Sequence, residues 1–367
     1  MKVRDKSIYL TDRSAVEVDD TCGMRFWWNR KEGGIGIVPR EEQLPLLIGR
    51  QTHEDLQTVA EMEDISPPAL EAITEEILSH LSPEDKTNQK ALELVYRRLG
   101  WLVAFALYIE PLIRKRYDTI HVEKEIILDR SPLWVAVTPD RVLRDKEDGH
   151  LEYMEYKTTI SASQKWLTSW MFQIQLHIGL AALSEELKEK VKFAQIMGLM
   201  KGSEYYKEGS SRLHHPYVWG YYNTESKSWT SDYESARAKN WISLPVWEFE
   251  GGIVKWVQMA GPEVALAQFP FTPPVFLNER MLDKWVHRRL HREMVMRSIA
   301  KAAVEKPNVR NIYFPMIQSK CRPAFGDSCP YLKACWNAEI NADPIGSGEF
   351  VIRTPHHEVE IIGVEGD

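Results

Sequence analysis

Two carboxylates and an ammonium stand close together within residues 133–159, LWVAVTPDRVLRDKEDGHLEYMEYKTT: Asp140 behind Pro139, then Glu155 and Lys157. Apolar runs on either side of the charged turn 145–149 predict a β-hairpin. One arm holds Trp134, Val135, Val137, Val142 and Leu143, the other Leu151, Tyr153 and Tyr156. Residues two apart on a strand share a face, so Glu155 and Lys157 point the same way, and cross-strand pairing brings Asp140 beside them. Carboxylate oxygens so arranged suit a hard divalent cation, Mg²⁺ or Mn²⁺, which activates water and neutralises charge on a phosphate. Lys157 then orients that water or offsets charge developing in the transition state. The same residue types also make a solvated ion pair and an ordinary turn, so the neighbours decide.

The elements that must position these groups follow from periodicity. A helical pattern over 41–63 places Gly49 and His53 one turn apart on one face. Glycine in mid-helix costs roughly 1 kcal/mol against alanine, which implies a close approach there. Beside the acids, His53 reads as a metal ligand rather than a surface histidine, and an imidazole among oxygens suits Mn²⁺ as well as Mg²⁺. Further helices are expected over 69–81 and 83–116, the second with a broad apolar stripe. A strand is expected over 120–128, where Glu123 and Glu125 read as structural or supporting residues, then a helix over 162–183 and a core strand over 191–200. Gln173 on that helix either holds a nucleotide or a ligand in place or is a polar residue on a half-buried face.

Pro139-Asp140, fourteen residues, then Glu155-Tyr156-Lys157 resembles the PD-(D/E)XK nuclease signature. Within that superfamily the chain is most similar to the RecB-like exonucleases, CRISPR-associated members included. In them a Gly-x-x-x-His precedes the acids, matched here by Gly49 and His53. A Gln-x-x-x-Tyr follows, matched by Gln173 and His177 except that His replaces Tyr. The resemblance implies an α/β (mixed α+β) fold, a restriction-endonuclease-like αβββαβ core with large helical additions and a C-terminal cluster-binding helical segment. It implies catalytic roles for Asp140, Glu155, Lys157 and Gln173, with His177 beside Gln173 at the rim. Metal ligation falls to His53, Asp140, Glu155 and the backbone carbonyl of Tyr156. The implied substrate is DNA, single-stranded or with free ends, and the implied partners are helicase, recombination or CRISPR adaptation proteins.

Some members also hold a 4Fe-4S cluster on one N-terminal and three C-terminal cysteines. This chain has four cysteines, Cys22, Cys321, Cys329 and Cys335, with seven residues between the second and third and five between the last two. Four is the number that a cluster or a Zn²⁺ site needs. The first C-terminal spacing is wider than in the resembled family, whereas the Cys-Pro followed by a final Cys fits. Iron-sulfur is the favoured occupant, and zinc or unmetallated buried thiols stay open, since Cys22 among Met24, Phe26, Trp27 and Trp28 also reads as packing. A ligand set from Cys22 to Cys335 would staple the chain ends and contribute to folding free energy.

Composition bounds the rest. With 367 residues and 44% hydrophobic content, the chain can build a substantial core. No apolar run approaches a membrane span, and the first twenty residues carry no signal-peptide core, so a cytoplasmic protein is expected. The net charge of −7 does not favour nucleic acid, but it hides an asymmetry. Residues 280–306 hold eight Lys or Arg against three acids, and 337–367 hold seven acids against one Arg. A basic helix lining a groove and a solvated helix face are the two readings of that run. One compact domain is expected. It comprises an N-terminal segment 1–40, a helical region 41–116, a nuclease core 117–200 and an aromatic-rich accessory region 201–275. The basic helix and cysteine segment 276–340 and an acidic tail 341–367 complete it. Residues 202–216 read as a mobile loop or gate, and the aromatics of 217–256 as core or as platforms for unpaired bases.

Two rival functions share these motifs. One is a non-catalytic module that grips a DNA end or a helicase partner on a nuclease-like fold, as AddB-type relatives suggest. The other is an endonuclease selective for duplex or branched DNA, since the core chemistry is common to both.

Overall fold

Apolar alternation in six consecutive strands and the stripes of their flanking helices build two sheets around one crossover. The computed structural model describes residues 9–12, 19, 22–30, 36–40, 44–79, 89–159, 163–200, 217–223, 228–229, 247–249, 253–259, 268–305, 307–321 and 328–354. The chain begins with β1 (Tyr9–Asp12), α1 (Gly23–Arg30) and β2 (Ile37–Pro39), then α2 (Leu44–Glu61), α3 (Pro67–Ser79) and α4 (Gln89–Ala104). One π-helical turn, Phe105–Ile109, joins α4 to α5 (Glu110–Arg116). Strands β3 (Tyr117–Val122), β4 (Ile126–Arg130), β5 (Leu133–Val137), β6 (Arg141–Asp145) and β7 (Leu151–Thr159) follow. After α6 (Gln164–Ser169), the 3₁₀ turn Trp170–Phe172 and α7 (Ile174–Glu186), the chain returns as β8 (Val191–Met200). Strands β9 (Tyr217–Asn223), β10 (Ser228–Trp229), β11 (Trp247–Phe249) and β12 (Ile253–Met259) form a separate antiparallel sheet. Last come α8 (Glu279–Glu305), α9 (Pro307–Tyr313), α10 (Leu332–Trp336), α11 (Ala338–Ala342) and β13 (Phe350–Ile352), which pairs with β2.

The central sheet runs β3-β6-β7-β8. Strands β6 and β7 form an antiparallel hairpin, and β7 runs parallel to β8 across the α7 crossover. With α5 ahead of it, this sheet is the αβββαβ core expected of the fold, interrupted by a β4–β5 hairpin between β3 and β6. That interruption corrects two sequence expectations. Residues 120–128 are the ends of two strands, β3 and β4, broken at Glu123, whose φ is 46°. Residues 133–143 are likewise two strands: β5 pairs with β4 and β1, and only β6 pairs with β7. Pro139 falls in the gap, where a residue without a backbone donor cannot continue a ladder.

The two faces of β7 look into different cores. Met154 and Tyr156 pack with Leu56, Val59, Leu102 and Phe105 of α2, α4 and the π turn. Tyr153 packs on the other side with Leu176, Ile178 and Leu180 of α7 and with Trp285 of α8. A third, smaller core joins Cys22, Phe26, Trp27 and Trp28 to Phe314, Tyr331 and Phe350, bringing the two ends of the described chain together. Helix α8 spans most of the basic run, but Arg289 and Arg292 turn inward to Asp19 at 2.8 and 2.9 Å. Arg280, Lys284 and Arg288 are exposed. The loop expected over 202–216, the end of the acidic tail (355–367) and the side chains of 217–256 lie outside the described residues.

Candidate metal centre and cysteine site

Asp140 sits in the bend between β5 and β6. Arg141 pairs with Met154, so one register step further Asp140 faces Glu155 across the hairpin. Its carboxylate is buried and accepts the backbone N–H of Tyr156. Its carbonyl accepts the N–H of Glu123 at 3.2 Å. Glu123 occupies the left-handed region, which non-glycine residues adopt rarely and at a cost of about 1–3 kcal/mol. The turn brings its carboxylate to His53 and Asp140, and one ligand atom from each of the three lies within 4.8 Å of the others. Ligands of one octahedral Mg²⁺ at about 2.1 Å stand roughly 3–4 Å apart, so an imidazole and two carboxylates fit such an ion with a small contraction. His53 Nδ1 is 3.8 Å from Asp140 Oδ2, and the imidazole meets the Tyr156 ring edge-on. Sequence reading took Glu123 as a structural or supporting residue. The only local signal was the failed alternation of a strand written across it.

A buried chain of charges holds this corner. Arg141, next to Asp140, donates to both oxygens of Glu110 at 2.6 and 2.8 Å, with neither side chain more than 1% exposed. Glu110 follows directly on the π turn and also accepts from Arg114 at 2.7 Å. Arg114 caps the C-terminus of α2 by donating to the carbonyls of Val59 and Met62. The helix bearing His53 and the strand beginning after Asp140 are thereby tied through three side chains. At Gly49, by contrast, a Cβ would meet only Thr158 Oγ1 at 3.5 Å, an ordinary contact, so the expected steric need for glycine is absent there.

Glu155 and Lys157 share a face of β7, as their spacing predicts. Glu155 is fully buried: Oε2 accepts from the Tyr153 hydroxyl, and Oε1 accepts from Lys157 Nζ at 3.0 Å. It stands outside the 4.8 Å trio, on the sheet face that α7 covers. A Cβ at Gly179 would come 2.4 Å from Tyr153 Cε1, so α7 can rest on that ring only through a glycine. Because α7 runs antiparallel to β7, Gln175 lies one turn, about 6 Å, toward the C-terminal end of the strand. Glu155 lies two residues beyond Tyr153, about 6.6 Å in the same direction. Gln175 is therefore level with Glu155. It is 2% exposed, and neither Nε2 nor Oε1 has a hydrogen-bond partner.

Gln173 and His177 occupy different environments. Gln173 is exposed in the extended residue between the 3₁₀ turn and α7. His177 is buried, with Nδ1 accepting the Asn278 N–H at 3.1 Å and Nε2 facing the Met171 carbonyl at 3.3 Å. Those partners fix the neutral Nε2–H tautomer, and burial pushes the imidazole pKa down. Sequence reasoning singled out Gln173; Gln175, two positions on, is the buried glutamine of this helix.

Cys22, Cys329 and Cys335 adjoin the core that joins the chain ends, and Cys321 is buried. Cys22 Sγ accepts the Ile317 N–H at 3.4 Å, and the Cys329 N–H donates to the Cys321 carbonyl at 2.9 Å. All four are free. Burial pushes the Cys329 thiol up, and that of Cys335 to about 11, with the charge of the neighbouring cysteines adding in both cases. Tetrahedral zinc would hold its sulfurs about 3.8 Å apart. Among the described residues no three thiols fall within 4.8 Å of one another, so they are neighbours without forming that closed tetrahedron. The Trp28 indole N–H is buried without a hydrogen-bond partner, in the core against which Cys335 packs.

Among the described residues no helix is long and apolar enough to cross a membrane. A family model described as the PD-(D/E)XK nuclease superfamily matches residues 13–335, a span that takes in Cys22, His53, the β6–β7 hairpin and Cys335. No curated protein matches the chain.

Proposed function

Since the chain belongs to the PD-(D/E)XK nuclease superfamily, we propose that it is a metal-dependent DNA exonuclease of the RecB-like type, trimming single-stranded ends. The observation that carries this reading is the meeting of His53, Glu123 and Asp140 next to the pair of a buried Glu155 and a half-buried Lys157 on β7. His53, Asp140, Glu155 and the Tyr156 carbonyl would hold Mg²⁺ or Mn²⁺, with Glu123 as an additional carboxylate. A divalent cation bound there supplies Lewis acidity at the phosphate and lowers the pKa of water. Lys157 Nζ, steered by Glu155 Oε1, orients the attacking water and offsets charge on the phosphoryl oxygens, a type of contribution worth about 10²–10³ in rate. Asp140 is fixed for its task by the Tyr156 N–H and by the Glu110–Arg141 pair behind it. The exposed Arg280, Lys284 and Arg288 supply cations for the phosphate backbone. The four cysteines would hold a 4Fe-4S cluster of structural role, and a helicase or another recombination or CRISPR adaptation protein would deliver the DNA end.

The test is digestion of end-labelled single-stranded and duplex DNA with Mg²⁺ or Mn²⁺, comparing the native protein, purified without air, with Lys157→Ala. Metal-dependent shortening of single strands that the variant loses supports the reading, and the surviving label gives the polarity. A native protein that binds DNA ends but never cuts them replaces it with an end-binding module. Internal cuts in duplex or branched DNA replace exonuclease with endonuclease.

A further inference from the structure

Resting on the single-strand reading above, we propose that Phe172 is a stacking platform for an unpaired base of the DNA strand, set beside Lys157 by the 3₁₀ turn Trp170–Phe172. Phe172 is 75% exposed and Met171 45%, so the turn shows an apolar pair to water. A single exposed phenylalanine is ordinary, and its place in the fold decides the reading.

That place follows from the β7–β8 ladder, in which Lys157 pairs with Gly198. By the two-residue period of a strand, Lys157 shares a face with Tyr153, and Gly198 shares one with Ala194 and Ile196. Tyr153, Ala194 and Ile196 all enter the core beneath α7, so the two faces are one. A Cβ at Gly198 would come 2.8 Å from Trp166 Cη2, so the Trp166 indole lies on this face one strand, about 4.8 Å, from Lys157. Trp166 meets Trp170 edge-on with centroids 5.7 Å apart, and both pack on the same core. Trp170 opens the turn that Phe172 ends. Buried His177 donates from Nε2 to the Met171 carbonyl at 3.3 Å and fixes the turn against the start of α7. The two indoles and His177 are thus the footing, and Phe172 is the face left open.

Charge favours the same occupant. From Tyr156 to Ser184 the chain carries no Asp or Glu, in a protein of net charge −7, while Lys157 and the exposed Lys165 supply cations. An aromatic face beside cations and clear of carboxylates suits an unpaired strand, whose bases stack while its phosphates seek positive charge.

The experiment measures fluorescence anisotropy of two labelled strands of equal length, one of thymidylates and one of abasic residues, in EDTA so that no cleavage intervenes. Their phosphates are alike, and only the first has bases to stack. Native protein should bind the thymidylate strand more tightly. Phe172→Ala, checked for folding by circular dichroism, should bind it about tenfold more weakly with the abasic strand unchanged, and Phe172→Trp should keep the native preference. Phe172→Ala that retains the native preference, or that weakens both strands alike, overturns the role of Phe172. Native protein that binds both strands equally overturns the platform and leaves the exposed pair to a protein partner. Native protein that binds neither strand also overturns it; digestion of single strands with Mg²⁺, run alongside, then tells whether the single-strand reading falls as well.

Discussion

Replacing Gln175 with leucine should make the protein more stable and less active. The amide is 2% exposed and neither of its polar atoms has a hydrogen-bond partner, an arrangement that costs about 1–3 kcal/mol for each unsatisfied group. Leucine has nearly the same volume and no polar atom, so Gln175→Leu removes that penalty without opening a cavity. The two orphaned atoms lie on one side chain that can relax, so the net gain should be about 1–3 kcal/mol rather than the sum. Urea unfolding followed by circular dichroism would read it as a midpoint moved to higher denaturant with an unchanged slope. The cost falls on function, because the amide is level with Glu155 and Lys157, where water and phosphate must be oriented. Cleavage of labelled DNA should drop by about tenfold to a hundredfold, as expected when one positioned polar group is lost. A variant less stable than the native protein by more than about 1 kcal/mol refutes the reasoning, because Gln175 would then be a satisfied structural residue. Unchanged cleavage refutes its functional half.

Other perturbations test the supports of the site. Glu110→Gln leaves Arg141 charged and buried without its counter-ion, so a loss of about 3–5 kcal/mol is expected in the same unfolding assay, with activity failing at lower temperature. Gly179→Ala drives a methyl into the Tyr153 ring; thermal unfolding should show a destabilisation of about 1–3 kcal/mol, and Gly49→Ala, with room for the methyl, should show none. His177 is held neutral in the fold with its pKa below the usual 6.5, so its contribution is fully present above pH 6.5. That contribution is lost as pH falls through and below 6.5, where the unfolded state takes up a proton that the folded state resists. Stability measured from pH 7.5 to pH 5 should decline less in His177→Gln than in the native protein.

The parts of the site legible in the sequence were those set by local spacing. Glu155 and Lys157 share a face because a strand has period two, and the turn at 145–149 is announced by its Asp and Gly residues. The span of α8 and the core strand β8 were legible for the same reason. Sheet membership was not, because β5 and β6 carry the same alternation and only tertiary pairing sends one to β4 and the other to β7. The place of Glu123 beside His53 and Asp140 was not legible, because its left-handed backbone belongs to the corner between two strands and a single glutamate carries no sign of that conformation. Gln173 was singled out by the resemblance of Gln173 and His177 to the Gln-x-x-x-Tyr pattern, on one helix expected from 162 to 183. The 3₁₀ turn at Trp170–Phe172 restarts the helix at Ile174 and changes which residues face inward.

The joining of the chain ends has a consequence for how the protein is made. Cys22 meets the backbone of Ile317 across 295 positions, and Phe26 and Trp27 pack on Phe314. At a synthesis rate of about 5–20 residues per second, the first helix waits tens of seconds for the segment that covers it. During that interval α1 displays Phe26, Trp27 and Trp28 to solvent on a nascent chain whose central sheet can already close. A chaperone that binds aromatic segments would have a defined client here, and the aromatic core would be sealed only when the last cysteines leave the ribosome.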